Sequence, residues 1–220
     1  MNKVVIVDYG MGNLNSVAKK IRKLEGNAII SSDPKEILQA IKIILPGVGH
    51  FAKAVFNLKS HSLWDALNEA VLEKQIPILG ICLGMQLMTK YSEEGGVEGL
   101  GWFDAEVIKF HLKNNLRYKV PHMGWNSIHP QKNSVLFEDL PEMPEFYFVH
   151  AYHVKSDNQD QVLAYTNYEY DFVSALEKDT IFGLQFHPEK SHEVGERLIA
   201  NFLKLNHVSS AHHPGIALKK

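Results

Sequence analysis

The sequence predicts an α/β fold, an open parallel sheet with flanking helices to which antiparallel strands are added. Three observations predict it. Short apolar, β-branched runs alternate with longer stretches of helical period through the first half; from residue 101 the pattern turns to strand-like alternation; and a last helical stretch, "HEVGERLIANFLKL" at 192–205, closes the chain. The 220 residues, 45% hydrophobic and 22% charged, fit one domain with a sizeable core. That domain is taken as 1–205. Residues 206–220, poor in large apolar side chains and holding Pro214 and Gly215, read as a flexible tail.

In order, "KVVIVD" (3–8), "NAIIS" (27–31), "IKIIL" (41–45) and "IPILGI" (76–81) are continuous apolar runs bounded by Gly, Pro or Asp, as expected of parallel strands buried on both faces. Between the first two, Leu14, Val17, Ile21 and Leu24 recur at spacings of three and four before Gly26. "DPKE" at 33–36 supplies an N-cap Asp33, Pro34 at the first helical position and Glu36 at the third. Leu63, Ala66, Leu67, Ala70 and Val71 repeat the helical period. The later segments "GWFDAEVIKF", "FYFVHAYHV", "QVLAYT", "DFVSALE" and "TIFGLQF" read as the added antiparallel strands.

Several function classes are excluded by composition. A formal net charge of −2 gives no electrostatic footprint for nucleic acid, and no stretch approaches the ~20 apolar residues of a membrane span. The single cysteine forms no intrachain disulfide, and "MNKVVIVDYG" runs into a strand without a basic segment and apolar leader, so a cytoplasmic protein is expected.

That cysteine, Cys82, lies in "GICLGMQ" (80–86), where a buried strand meets a helical pattern. Gly80 and Gly84 let the backbone bend tightly around it, the layout of a nucleophile elbow, in which the side chain sits on a strained strand-to-helix turn and the following N–H groups offer an oxyanion donor. A base is needed. His187, in "QFHPEKS" after a strand-like run, stands two residues before Glu189, and a carboxylate on one imidazole nitrogen leaves the other for the thiol. "PGVGHF" (46–51) follows the third strand, and its small residues allow a substrate close to the backbone.

"YGMGN", "PGVGHF", "GICLGMQ", "PHMGWN", "YFVHAY" and "FHPEKS", in this order over about residues 1–205, resemble the class I glutamine amidotransferases, and among them the glutaminase subunits of imidazole glycerol phosphate synthases. The resemblance implies a flavodoxin-like sheet and a Cys82–His187–Glu189 triad. It further implies an oxyanion hole from the N–H groups of Val48 and Leu83, and glutamine held by Gly47, Gly49, Gln86 and Glu94. The implied partner is a (βα)8-barrel synthase (cyclase) subunit, bound as a heterodimer through a surface including His122, Met123, Trp125 and Lys190. No cofactor or metal is implied. The family commonly has Ser where this chain has Ala151.

Two rivals remain at this stage: a redox-sensing or chaperone-like protein with an oxidisable elbow cysteine, against which "HPE" argues, and a paralogous amidotransferase feeding ammonia to a sugar-modifying synthetase in surface polysaccharide assembly. "DYGMGNLNSV" imitates a dinucleotide fingerprint, but Asn15 replaces its third glycine. "HAYH" (150–153) imitates a metal pair, but alternation along one strand would set its histidines on opposite faces. Gly47 and Gly49, on either side of Val48, are expected to make reorientation of that peptide cheap, so that a partner could switch the oxyanion donor on.

Overall fold

The computed structural model describes residues 3–24, 26–114 and 116–205. The elements run β1 (Val4–Val7), α1 (Leu14–Lys23), β2 (Ala28–Ser31), α2 (Pro34–Leu38), β3 (Lys42–Gly47), α3 (Phe51–Ser60), α4 (Leu63–Asn68, continued by a π-helical turn to Glu73), β4 (Ile78–Cys82) and α5 (Leu83–Leu87). The second half holds β5 (Tyr91–Ser92), β6 (Val97–Glu98), β7 (Glu106–Lys109), β8 (His122–Ser127), β9 (His129–Pro130), β10 (Glu145–His150), β11 (Tyr152–Lys155), β12 (Val162–Tyr168), β13 (Tyr170–Lys178), β14 (Ile181–Leu184) and α6 (His192–Lys204). The expected tail, 206–220, lies outside the described residues.

Five strands, in the order β2-β1-β3-β4-β14, pair in parallel. Every residue of β1, β3, β4 and β14 is buried, which is why these strands read as unbroken apolar runs. Alternate side chains serve two cores. Val5, Val7, Ile43 and Leu45 face α2–α5, while Val4, Ile6, Ile44, Leu79 and Ile81 face α1 and α6. Asp33 caps α2 by accepting from Lys35 N at 2.9 Å, with Pro34 next, as the sequence predicts.

The antiparallel addition is present: β13 continues the sheet beyond β14, followed by β11 and β7, and β12 pairs with β13. One expectation changes, because β14 ("TIFGLQF") pairs parallel to β4, Ile181 opposite Ile78, and so belongs to the buried parallel core. Strands β8 and β10 form a separate two-stranded ribbon. "FYFVHAYHV" is accordingly two strands, β10 in the ribbon and β11 in the main sheet, with a bend at Ala151. That bend overturns the opposite-face reading of "HAYH". Both His150 and His153 turn onto Phe110, with ring centroids 5.3 and 4.5 Å away. Among the described residues no group of three or more His, Cys, Asp or Glu is placed to hold a metal, and no helix is long and apolar enough to cross a membrane.

Candidate active site

Cys82 ends β4 directly opposite Gly47, the last residue of β3. Its backbone, φ 54° and ψ −110°, is a conformation that L-residues rarely adopt, and α5 starts at the next residue. Both flanking glycines are required there. A Cβ on Gly84 would stand 1.7 Å from the Leu45 carbonyl oxygen, and one on Gly80 would stand 2.8 Å from Met85 N. The strand-to-helix elbow is as expected, but the helical pattern read over "MQLMTKY" (85–91) ends early: α5 stops at Leu87, and Tyr91 is already in β5.

A cleft of about 480 Å³ opens on Cys82, within the range of small-molecule sites. Its walls include Val48, Gly49, Leu83, Gln86 and Glu94, all named from the sequence as site residues, together with the Val149–Tyr152 segment of the "YFVHAY" motif, which carries Ala151. Gly47 lies beneath it in the sheet. A Cβ there would stand 2.1 Å from the buried hydroxyl of Tyr9, which donates to Pro46 O at 2.8 Å. The freedom expected around Val48 therefore resides at Gly49, with φ +118°, and not at Gly47, which is pinned in β3.

His187 and Glu189 lie behind the cysteine, with side chains 2% and 3% exposed and His187 Nδ1 2.8 Å from Glu189 Oε1. Among the described residues the buried His187 Nε2 atom has no nitrogen or oxygen partner, which leaves it to the Cys82 sulfur. Burial pushes this imidazole down, but the Cys82 sulfur and the Glu189 carboxylate outweigh it and hold the pKa up to about 9. The turn that carries the pair is clamped: Tyr147 O accepts from His187 N at 2.9 Å, and Ser191 Oγ accepts from Tyr147 N and donates to His187 O.

Gln86 and Glu94 are committed to the protein as well as facing the cleft. Gln86 Nε2 donates to Tyr152 O at 3.1 Å and to Gln185 Oε1 at 3.0 Å, and Gln185 Nε2 donates to Cys82 Sγ at 3.7 Å. Glu94 Oε2 accepts from Phe51 N at 2.8 Å, holding the start of α3. Gln185 escaped the sequence reading, although a Gln inside the apolar "IFGLQF" was the signal: a buried amide must find partners.

The expected docking residues divide. Met123 and Trp125 are 61% and 46% exposed, and Lys190 is exposed with its ammonium 5.5 Å above the Tyr147 ring. Trp125 stacks flat on His192 at 5.0 Å. His122 is corrected: it is 3% exposed, on the inward side of β8, because neighbours along a strand face opposite ways. It contributes no docking surface.

A nucleophile on a strained elbow, an imidazole oriented by a buried carboxylate and a cleft walled by backbone suit acyl transfer from an amide. Comparison with known proteins agrees. Residues 5–205 match the family model described as glutamine amidotransferase class-I. The chain is 48% identical over 201 residues to imidazole glycerol phosphate synthase subunit HisH 2 of Methanococcus maripaludis, covering 91% of this chain and 98% of that protein. It is 46% identical to subunit HisH 1 of Campylobacter jejuni (strain RM1221), over 92% of this chain and all of that one. Two solved structures share the fold: a glutamine amidotransferase, TM-score 0.71 at 18% identity over 91% of this chain and 97% of that one, and another from Thermotoga maritima, TM-score 0.61 at 19% identity over 92% and 82%. With its family model spanning the elbow, the cleft and the His–Glu pair, the chain belongs to the class I glutamine amidotransferases.

Proposed function

We propose that this amidotransferase is the glutaminase subunit of an imidazole glycerol phosphate synthase. It would work in the cytoplasm as a heterodimer with a (βα)8-barrel cyclase subunit, which uses the ammonia to form imidazole glycerol phosphate and aminoimidazole carboxamide ribotide in histidine biosynthesis. The observation that carries the reading is Cys82 at the floor of the cleft with a buried His187–Glu189 pair behind it. The relatives' names favour this acceptor over a sugar-modifying synthetase.

In this reading the Cys82 proton already resides on His187 Nε2 in the resting site, and the sulfur attacks the side-chain carbonyl carbon of glutamine. The N–H groups of Val48 and Leu83 hold the tetrahedral oxyanion, a contribution worth roughly 3 kcal/mol per donor in comparable sites. An imidazole with a pKa of about 9 is charged at neutral pH, so it retains the proton until the nitrogen departs and then delivers it. Ammonia leaves and a γ-glutamyl thioester remains. His187, now neutral, takes a proton from water as the water attacks the thioester, and glutamate and the free thiol are restored. Gln86, Glu94 and the backbone at Gly47 and Gly49 bind the rest of glutamine, the free oxygen of Glu94 being suited to its ammonium group. Met123, Trp125 and Lys190 receive the cyclase subunit, whose binding turns the Val48 peptide about Gly49 into its working orientation.

The test is Cys82→Ser in the two-subunit complex. Glutamine-dependent synthesis should vanish while synthesis from ammonium salts survives; equal loss of both, or survival of both, overturns the assignment. Adding the cyclase subunit with its acceptor ligand should raise glutamate release by the wild-type chain, and no acceleration would point to a different acceptor.

A further inference from the structure

The bend at Ala151 is held from both sides by one chain of hydrogen bonds. His150 Nδ1 lies 2.8 Å from Tyr152 O, which only accepts, so the ring proton sits on Nδ1 and Nε2 is an acceptor. Nε2 faces His122 Nδ1 at 3.0 Å, which must then carry that ring's proton, and His122 Nε2 in turn faces Asn126 Nδ2 at 3.4 Å. The orientation of Asn126 is fixed independently, since its Oδ1 accepts from Ser127 N at 2.9 Å and its Nδ2 donates to Asn167 O at 3.0 Å. Every proton has one place. On the far side, Tyr152 O also accepts from Gln86 Nε2, which leads through Gln185 to Cys82 Sγ. Both histidines are kept neutral, burial holding His122 down to about 4 and driving His150 well below its ordinary value, with the neighbouring His122 adding to the effect. Their rings are packed as well, His122 lying 4.9 Å from Phe148 and 4.1 Å from Tyr168.

We propose that His150, locked in one tautomer by His122, is a positioning residue that fixes the Ala151 wall of the cleft against which glutamine lies. The inference rests on the glutaminase reading and deepens it. No side chain of the corner residue can do this work, because Ala151 has none beyond its methyl; the backbone on either side must be held instead, and His150 holds it by closing an i to i+2 bridge across the bend. The expected signature is therefore in glutamine recognition, with the chemistry at Cys82 little affected.

The experiment measures KM and kcat for glutamine hydrolysis in the complex with the cyclase subunit, using replacements at 150 that differ in which ring nitrogen they imitate. Asn places an amide N–H near the Nδ1 position, whereas Gln places its amide near Nε2. His150→Gln and His150→Ala should raise KM about tenfold with kcat within about threefold of wild type, and His150→Asn should recover most of the loss. His122→Ala should raise KM several-fold, and His122→Ala/His150→Ala should be no worse than His150→Ala alone, because the two act through one bridge. A purely structural contribution would treat Asn and Gln alike, so equal KM for those variants, or additive effects of the two alanines, overturns the proposal. Failure of Cys82→Ser to abolish glutamine use would instead strike the underlying glutaminase reading.

Discussion

Glu189→Gln isolates the charge behind the His187 imidazole. The amide oxygen can still accept from His187 Nδ1 across the 2.8 Å gap, so the orientation survives and only the negative charge is removed. In the wild-type protein the His187 midpoint rises from the ordinary 6.5 to about 9 against an opposing burial penalty, and each pH unit of displacement is worth about 1.4 kcal/mol. The folded state thus gains on the order of 3 kcal/mol from this proton. Because the raised midpoint belongs to the folded chain, the gain is complete below pH 6.5 and is lost as pH climbs through 9. Without the negative charge, burial continues to push the imidazole down against the Cys82 sulfur and a hydrogen bond to a neutral amide, so the midpoint should drop by about one pH unit and somewhat under half of the pH-linked stability should disappear. Histidine side-chain NMR titration reads the midpoint directly, and urea unfolding between pH 6 and 10 reads its energetic consequence. If His187 in the variant still titrates near 9, and the two stability curves run parallel, the carboxylate is not what holds the imidazolium. Glutaminase activity should fall far less than in His187→Ala, which removes the proton carrier itself.

Two further outcomes follow from the geometry. Gly84→Ala forces a Cβ to within 1.7 Å of Leu45 O, a backbone atom in the central sheet that cannot turn aside, and should cost about 3 kcal/mol, a fall of roughly 6–12 °C in Tm by calorimetry; a Tm within 2 °C of wild type would mean that α5 moves away from β3 freely. Trp125→Ala removes a half-exposed ring that stacks on His192 and meets the Tyr147 ring edge-on, so Tm should change little while about thirtyfold more cyclase subunit is needed to half-saturate the glutaminase acceleration; an unchanged half-saturating concentration would remove Trp125 from the interface.

The parts legible in the sequence were those written in local patterns. The parallel strands announced themselves because burial on both faces leaves few polar positions, and the elbow because Gly80 and Gly84 admit no substitute without collision. Pairing direction is not local. The run at 180–186 carries no mark saying that Ile181 will lie parallel to Ile78, and it was therefore grouped with the antiparallel strands around it. Nor does "VHAYH" contain the Gly or Pro that usually marks a bend, so the corner at Ala151, and with it the convergence of His150 and His153, was visible only in three dimensions. Other signals were present and passed over. Phe51, Ala54, Val55 and Leu58 have the spacing of a helix, masked by the loop character of the preceding "PGVGH", and the inward side of His122 follows from its position next to Met123.

The backbone at Cys82 has a consequence for how this sequence can change with time. At φ 54° and ψ −110° the site imposes a strain on the order of 1–3 kcal/mol on any residue with a side chain, and glycine would escape it. Cysteine therefore stands there against the steric preference of its own position. In a descendant released from the need to cleave amides, the elbow would be a place to gain thermal resistance, and on the proposed role of Cys82 the substitution that abolishes turnover would be the same one that relaxes the chain.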